Sequence, residues 1–461
     1  MRKVELIPEA KNLMESTRSI GYSLSSAIAD LIDNSIAAEA DSVYVQFPNS
    51  DVPLLSLRDN GSGMTMEELL RAMRYGSFAV AATRSKSDLG RFGLGLKMAS
   101  LSQCRCLTVA SKKKDEKIHI ARWDLDEIAK NPTHWNVLLP TSEEVPEITS
   151  QPVWNKFVEQ SSGTLVVWSK LDLLMEDCLN NYGNPILLDK LSAAREHLRL
   201  VFHRYLEGDG KQDKLQIYCN DTLLEPKKPF LKASQLCSPD VFYYENEPIK
   251  MTTWLLPFPK NLTRDELVEL GDFQQNQGIY IYRNRRLVIW GTWFRIVRKT
   301  ELTRLLRIQV DLPNTPEMDR LWSLDVKKSS ARLPETFKRK LAEQIKEAAN
   351  RGRSSWTRKA SQNLVGSLWK RVREDSNNNT WFVYRLNFDS PIIKEMTQKT
   401  KGLSALLHLI EKTIPVDSIY ADMANDQEIK CGPDDIGSTD GFSDEEKLQI
   451  LHLIETIKKQ I

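Results

Sequence analysis

The segment SSAIADLIDNSIAAEADSVYVQF, residues 25–47, joins an amphipathic helix directly to a strand. On one face of the helix, Asp30 and Asn34 lie four positions apart, which places their Cβ atoms about 5–6 Å from each other. A carboxylate and a carboxamide one turn apart can hold a water molecule and a hydrated metal ion together, although an exposed polar stripe has the same pattern. Four apolar residues at helical spacing predict that the helix spans residues 23–38 with another face in a core: Ile28, Leu31, Ile32 and Ile36.

The composition of the 461-residue chain is that of a globular protein, with 41% hydrophobic and 27% charged residues. This length predicts two or three domains, because a single core rarely grows that large. The formal net charge of +2 gives no overall field toward nucleic acid or membrane, so any such surface must be local.

The N-terminal residues, the apolar runs and the cysteines all differ from the patterns typical of secreted, membrane and zinc-binding proteins. The first residues, MRKVELIPEAKNLMES, lack the apolar region of a signal peptide, and no apolar run is long enough to span a bilayer. The six cysteines lack zinc-type spacing. These features predict a cytoplasmic protein with reduced thiols and no membrane association.

A second segment, LLSLRDNGSGMTMEELLRAM (residues 54–73), predicts a strand, a glycine-bracketed turn and a helix. The strand ends at Asp59, Gly61 and Gly63 bracket the turn, and Thr65 can cap the helix. A partly buried carboxylate at this place could accept a hydrogen bond from the amino group of a base, and the glycines would let that base approach the backbone. The alternative is a plain strand–turn–helix junction in which Asp59 serves the turn.

Two further segments carry glycine where a backbone could meet a ligand. In GRFGLGLKMAS (residues 90–100), three glycines precede a helix, so backbone N–H groups and a helix N-terminus could face phosphate. In SSGTLVVWSKLD (residues 161–172), Gly163 and Thr164 open an apolar strand. Each pattern alone is common and is weak evidence for a ligand. Lys97 has two interpretations, a phosphate ligand or a packed or solvated helix residue.

The four segments in this order resemble the four motifs of the GHKL ATPases, the superfamily of type II topoisomerase ATPase subunits, heat-shock chaperones, histidine kinases and MutL. The strings ADLIDNSI, RDNGSGM and GRFGLGLK most resemble its MORC-like branch and the prokaryotic relatives of that branch. The resemblance implies an α+β fold: a two-layer GHKL sandwich, then a mixed α/β transducer domain and a mostly helical C-terminal region. We expect the domain limits 1–185, 186–345 and 346–461.

The resemblance also implies that residues of each motif bind ATP and Mg²⁺. Asn34 would ligate the Mg²⁺ that bridges the phosphates, and Asp33 would assist nucleotide binding unless it is a helix-surface carboxylate. Asp59 would bind the adenine amino group with support from Thr164. The other implied nucleotide-binding residues are the turn glycines, Met64 as a pocket or core residue, and the phosphate-binding run: Gly61, Gly63, Met64, Gly90, Arg91, Phe92, Gly93, Leu94, Gly95 and Leu96.

Asp30 stands at the position of the general base that activates the attacking water, and here the chain departs from the family. That position is usually glutamate, and aspartate is shorter by one methylene, about 1.5 Å. A misplacement of about 1 Å can cost on the order of a hundredfold in rate. Either the helix lies closer to the phosphate and compensates, or hydrolysis is slow. We expect ATP binding with slow hydrolysis to ADP and phosphate, which suits a switch whose output is its nucleotide state.

Two more groups of candidates lie outside the four motifs. The segment before the third motif resembles the family's lid, with residues 83–86 as its candidates, and a solvated basic loop is the alternative. In the transducer of related ATPases a lysine reaches the γ-phosphate, and DVKKSSA (residues 325–331) stands where that loop is expected. Lys328 is the first candidate and Lys327 the second, with a solvated strand end as the alternative.

The resemblance implies an ATP-dependent homodimer that acts as a switch or clamp on DNA or on a DNA-processing partner, such as a nuclease of an antiviral genome-defence cassette. The alternatives are a chaperone-like or signalling ATPase that acts on protein clients, and an ATP-binding scaffold without fast hydrolysis.

Basic and aromatic residues interleave in the transducer-like region, a pattern that suits nucleic-acid contact. Strand alternation would nevertheless turn many of the aromatics toward the core and the arginines toward water. The residues concerned are Tyr280, Tyr282, Arg283, Arg285, Arg286, Trp290, Trp293, Phe294, Arg295, Arg298, Lys299, Arg304 and Arg307.

Overall fold

The structure is a computed structural model of the 461-residue chain. It describes residues 8–19, 21–49, 53–75, 95–176, 183–208, 214–231, 234–244, 247–300, 303–322, 333–356, 369–376 and 379–419. The chain divides into two compact units, residues 1–349 and 350–461.

Seven strands of the first unit form one sheet: β1 (Ser42–Gln46), β2 (Leu55–Asp59), β3 (Cys106–Lys112), β4 (His119–Asp124), β5 (Gly163–Ser169), β6 (Gln216–Cys219) and β7 (Thr222–Leu223). Their order across the sheet is β4-β3-β5-β2-β1-β6-β7. Neighbouring strands are antiparallel except β1 and β6, which run parallel. The register of β2 with β5 sets Asp59 opposite Thr164, so the second and fourth predicted motifs meet.

A second, five-stranded sheet follows in the same unit: β8 (Gln235–Tyr244), β9 (Glu247–Leu255), β10 (Gly278–Arg283), β11 (Arg286–Thr292) and β12 (Leu306–Leu312). Its order is β11-β10-β12-β9-β8, and β10 and β12 are its parallel pair. In the described part of the second unit, β13 (Trp369–Ser376) pairs with β14 (Asn379–Leu386) as an antiparallel hairpin.

The α-helices of the described residues are α1 (Ala10–Arg18), α2 (Leu24–Ala37), α3 (Met66–Met73), α4 (Gly95–Leu101), α5 (Leu125–Lys130), α6 (Pro146–Thr149), α7 (Pro152–Glu159), α8 (Asp172–Met175), α9 (Pro185–Val201), α10 (His203–Glu207), α11 (Arg264–Leu270), α12 (Phe273–Asn276), α13 (Pro316–Leu321), α14 (Glu335–Trp356), α15 (Pro391–Lys399) and α16 (Leu403–Lys412). Short 3₁₀ turns occur at Ser142–Glu144 and Pro259–Asn261. None of these helices is both long and apolar enough to cross a bilayer.

Helices α2 and α3, next to the first and second predicted motifs, begin where polar side chains satisfy their first N–H groups. The hydroxyl of Ser23 accepts from the N–H of Ser26 at 3.1 Å, so α2 starts within one residue of its predicted start. At α3 the N–H of Glu68 donates to the Thr65 hydroxyl, and the Glu68 carboxylate accepts from the Thr65 N–H. This reciprocal cap confirms the predicted role of Thr65.

Alternate residues of β5 face opposite sides of the first sheet. Val166 and Trp168 lie in the main core, which they share with apolar side chains of α2, α4 and α9. Leu165 and Val167 lie in a smaller core on the other face, against α7 and α6. The predicted α+β class is confirmed, and these two short helices partly cover the second face of the sheet.

The main core of the first unit extends from the first sheet to the second. Tyr280 and Tyr282 of the second sheet belong to the same apolar cluster as α2 and the first sheet. Strands β6 and β7 also extend the first sheet past residue 185, where we expected the first domain to end. The limits 1–185, 186–345 and 346–461 stay a prediction.

Candidate nucleotide-binding site

The carboxylate of Asp59 stands at the end of β2 and accepts hydrogen bonds from three parts of the chain. Its Oδ1 accepts from the backbone N–H of Gly61 at 3.0 Å and from that of Thr164 at 3.1 Å. Its Oδ2 accepts from the hydroxyl of Ser35, on α2, at 2.9 Å. Asp59 is only 4% exposed, so these donors fix its carboxylate between α2, the turn after β2 and the start of β5.

This environment sets the charge and the remaining bonding capacity of Asp59. Burial raises the pKa of the Asp59 carboxyl, because the charged form is poorly solvated there. The three donors and the nearby charge of Arg58 lower that pKa in part. An ionised carboxylate has about four acceptor positions, so three donors leave it able to accept a further hydrogen bond. The amino group of a purine is a donor that fits this position.

Two glycines allow the backbone segments to come this close. Gly63 has a φ of +68°, and a Cβ built on it would lie 1.9 Å from the carbonyl oxygen of Lys112 on β3. Gly163 has a φ of +140°, and a Cβ there would lie 2.1 Å from the carbonyl oxygen of Asp59. Because a side chain cannot occupy either space, both positions require glycine. The turn after β2 thereby packs against β3 and β5.

Ser111, on β3, joins this network without belonging to any of the four motifs. Its hydroxyl accepts from the Met64 N–H at 3.0 Å and lies 3.0 Å from the Gly163 carbonyl oxygen and 2.9 Å from the Thr164 hydroxyl. A serine near the end of an apolar strand is too common to identify a site. Its importance follows from the register of β3 with β5, which sets it opposite Thr164.

Asp30 lies on α2 beside the end of the third motif. The hydroxyl of Tyr22 donates to Asp30 Oδ2 at 3.1 Å. A Cβ built on Gly95, the first residue of α4, would lie 3.8 Å from the same oxygen, which is ordinary van der Waals distance. Asn34, one turn further along α2, is exposed. The first motif therefore abuts the described part of the third.

The sequence of residues 22–164 matches the family model of the histidine kinase-, DNA gyrase B- and HSP90-like ATPases. This region is a GHKL ATPase domain. The match begins at Tyr22 and ends at Thr164, and it contains all the site residues described above. The predicted recognition of the superfamily is confirmed.

Three related proteins share part of the GHKL domain. ATPase morc-1 of Caenorhabditis elegans is 33% identical over 113 residues, which are 24% of this chain and 13% of morc-1. DNA mismatch repair protein MutL of Aeromonas hydrophila is 32% identical over 94 residues, 20% of this chain and 15% of that protein. MutL of Thermotoga maritima is 28% identical over 136 residues, 28% of this chain and 26% of that protein. The likeness therefore concerns one segment of each relative, far less than two thirds of its length.

GHKL ATPases bind ATP, typically with Mg²⁺. The oxygen atoms of this domain that could ligate a metal fit Mg²⁺. Asn34 presents an exposed carboxamide one helical turn from Asp30. Within the described ranges, no group of three His, Cys, Asp or Glu side chains is arranged to enclose a metal. Mg²⁺ at a nucleotide needs few protein ligands, because phosphate oxygens and water complete its octahedron. A single oxygen ligand from α2 is therefore compatible with Mg²⁺ bound through ATP.

Asp33 faces a different neighbour from Asp30 and Asn34. It is 1% exposed, and its Oδ1 accepts from the Arg286 Nε at 3.1 Å. Arg286 is the first residue of β11, in the second sheet, and its guanidinium lies 4.4 Å from the centre of the Phe202 ring. The predicted part of Asp33 in nucleotide binding stays a prediction, and this contact counts against it. Its alternative as a helix-surface carboxylate is wrong, because the side chain is buried.

Lys97, on α4, is a packed residue in this structure. Its ammonium donates to the carbonyl oxygen of Ala72 on α3 at 2.8 Å, and burial lowers its pKa to about 8. Leu96 beside it packs on the main core. Of the two interpretations of Lys97, the geometry favours the structural one.

Several predicted site residues lie outside the described residues. They are the rest of the third motif, the lid candidates at 83–86 and the two transducer lysines: Gly90, Arg91, Phe92, Gly93, Leu94, Lys327 and Lys328. Their assignments stay predictions.

The interleaved basic and aromatic segment is largely interior. Tyr280, Tyr282 and Trp293 are buried as expected, but the expectation that the arginines face water is wrong for four of them: Arg283, Arg286, Arg304 and Arg307. Two of these guanidiniums have aromatic and carbonyl partners: Arg286 lies over the Phe202 ring and donates to the Leu287 carbonyl oxygen. Arg307 lies over the Tyr280 ring and donates to the Leu270 carbonyl oxygen. Arg295, Arg298 and Lys299 are exposed.

Proposed function

We propose that this chain is a slow, Mg²⁺-dependent ATPase whose nucleotide state controls the pairing of two copies on DNA or on a DNA-processing partner. The main support for nucleotide binding is the buried Asp59 carboxylate. It accepts hydrogen bonds from α2, the turn after β2 and the start of β5. The DNA half is supported by the names of relatives, because MutL is a DNA mismatch repair protein. A nuclease or another protein of an antiviral defence cassette is the kind of partner we propose.

Adenine recognition follows from the bonding capacity left at Asp59. The purine amino group would donate to this carboxylate, whose orientation is fixed by the Thr164 N–H and the Ser35 hydroxyl. Gly61 lies close to the carboxylate, since a Cβ on it would lie 3.2 Å from Asp59 Oδ1, and Met64 would line the base. The ribose and phosphates would then extend toward Asn34 and Gly95.

Phosphate binding and hydrolysis would use α2 and the third motif. Asn34 would ligate Mg²⁺, which neutralises charge on the phosphate oxygens when it is bound. The backbone of residues 90–96 would hold the triphosphate, and Lys328 or Lys327 would reach its γ-phosphate. Asp30 would take the proton of the attacking water, and its short side chain makes turnover slow.

A chaperone-like or signalling ATPase with protein clients is the second candidate. It is favoured by the burial of four arginines, because buried guanidiniums cannot contact the phosphates of DNA. They are Arg283, Arg286, Arg304 and Arg307. Three exposed cations remain in that segment: Arg295, Arg298 and Lys299. Salt dependence separates the two candidates, since phosphate contacts release counterions and make affinity fall steeply with salt.

The decisive experiment is titration calorimetry with a non-hydrolysable ATP analogue and Mg²⁺, combined with sedimentation and with DNA binding at two salt concentrations. We expect heat of binding, a doubling of subunit mass with the analogue, and DNA affinity that falls steeply with salt. Absence of heat would refute the nucleotide half, and a mass independent of nucleotide would refute gated pairing. DNA binding that is absent or insensitive to salt in both nucleotide states would favour protein clients.

Substitution of Asp59 by asparagine should weaken binding of the ATP analogue by about one to two orders of magnitude. The asparagine amide would present a donor toward the purine amino group, and a hydrogen bond to a charged acceptor is worth about 1.5–3 kcal/mol. Calorimetry measures the loss, and thermal unfolding of the same sample reports whether the fold is intact. Asp41→Asn is the matched control, because Asp41 is exposed and bonds Asn60 and Ser42 at the start of β1. Unchanged affinity in Asp59→Asn would show that adenine binds elsewhere.

A further inference from the structure

Tyr22 stands outside the four motifs, yet it contacts the first of them. It lies two residues before α2, and its hydroxyl donates to Asp30 Oδ2 at 3.1 Å. The residue is only 7% exposed and belongs to the main core of the first unit. Its carbonyl oxygen accepts from the Gln103 side chain at 3.1 Å, which ties this part of the chain to the segment after α4. Both ends of Tyr22 are therefore held.

The contact with Tyr22 bears on the shorter reach of an aspartate at the position of the general base. Asp30 reaches about 1.5 Å less far than glutamate would, so the orientation of its carboxylate matters more. A hydroxyl bonded to Oδ2 restricts rotation of the carboxylate and with it the direction of Oδ1. The backbone of Gly95 comes close to the same oxygen, since a Cβ built on it would lie 3.8 Å from Oδ2. The Tyr22 hydroxyl is thus a hydrogen-bond donor on the side of the carboxylate that faces the start of α4.

We propose that Tyr22 is a positioning residue for hydrolysis, acting through Asp30; this inference rests on the ATPase activity proposed above. In the hydrolytic step, the water oxygen bonds to the γ-phosphorus while its proton passes to Asp30. The bond to the departing ADP oxygen breaks in the same step. Tyr22 takes no part in the bond changes. It holds Asp30 so that the proton acceptor points at the water.

The test is Tyr22→Phe, which removes the hydroxyl and keeps the ring in the core. Steady-state phosphate release should show kcat lower by about tenfold to a hundredfold, in line with the cost of misplacing a catalytic group by about 1 Å. The KM for ATP and the affinity for the non-hydrolysable analogue with Mg²⁺ should change by less than about twofold, because the purine and metal contacts are untouched.

The matched control is Tyr280→Phe. Tyr280 is 1% exposed and its hydroxyl donates to the Asn276 carbonyl oxygen at 2.7 Å, so it is a buried tyrosine with a similar bond in the second sheet. Removal of the Tyr280 hydroxyl should leave the kcat for ATP hydrolysis unchanged. Equal losses in both variants would assign the effect to general destabilisation and overturn the inference.

A double substitution shows whether Tyr22 works through Asp30. In an Asp30→Asn background, Tyr22→Phe should have no further effect on kcat, because the group that it positions no longer accepts the proton. The same fold-change in both backgrounds would overturn the proposal. An unchanged kcat in Tyr22→Phe alone would also overturn the proposal. In that case, turnover by the wild type would still support the proposed ATPase activity. Absence of wild-type turnover would overturn both.

Discussion

Replacing Asp30 with asparagine is expected to lower ATP turnover by about 10²–10⁴-fold, the range that a positioned general base contributes. Asparagine has nearly the same shape as aspartate and can still accept from the Tyr22 hydroxyl, but it cannot take a proton from water. Affinity for the non-hydrolysable analogue with Mg²⁺ should stay within about threefold, because a lost interaction made only in the transition state lowers kcat and not binding. Phosphate release and calorimetry on one preparation measure the two quantities.

Asp115→Asn is a suitable control for this experiment, because Asp115 is exposed in the turn between β3 and β4. Its φ of 63° is one that asparagine adopts readily. Turnover in that variant should match the wild type. If Asp30→Asn hydrolyses ATP at the wild-type rate, another group must activate the water, and the chain would be an ATPase of different design or a scaffold with contaminating activity.

Replacing Arg286 with methionine is expected to lower the free energy of unfolding by about 3–5 kcal/mol, the cost of breaking a buried ion pair from one side. Asp33 is 1% exposed, and methionine would leave its carboxylate without the guanidinium that pairs with it. The same guanidinium donates to the Leu287 carbonyl oxygen at 2.6 Å, which adds to the loss. Denaturant unfolding monitored by tryptophan fluorescence gives the free energy and its slope.

Two companion variants test the cause of that loss. Arg295→Met changes an exposed arginine three residues after the end of β11 and should alter stability by less than about 0.5 kcal/mol. The double variant Asp33→Asn with Arg286→Met removes both charges and should recover part of the stability, because the buried carboxylate is then gone. A loss within about 0.5 kcal/mol in Arg286→Met alone would mean that water enters and solvates Asp33.

Local signals in the sequence were sufficient for the elements that carry the site. Helix α2 begins and ends within one residue of its predicted bounds, because a serine cap and an apolar stripe are both encoded within a few positions. Asp59 and Thr164, which the resemblance assigns to one site, are joined by a hydrogen bond from the Thr164 N–H. That assignment came from the resemblance to a family, since nothing local connects residues 105 positions apart.

The features that could not be predicted depend on register and on distant partners. Ser111 enters the site because β3 pairs with β5 in one particular register, which strand patterns do not specify. Asp33 pairs with an arginine 253 residues away, so no window of sequence contains both. Arg307 looks like a surface cation, but aromatic and carbonyl partners from three segments let it lie in the interior.

Helix α2 serves both ends of the candidate site as a single rod. Ser35 donates to the carboxylate of Asp59, the proposed purine contact, and Asp30, the proposed base, lies about 7.5 Å from Ser35 along the axis, at 1.5 Å per residue. A rigid rod cannot tilt at one end without moving the other. Any movement of α2, including one transmitted from β11 through the Asp33–Arg286 ion pair, would therefore disturb the proposed base recognition and the proposed hydrolysis together.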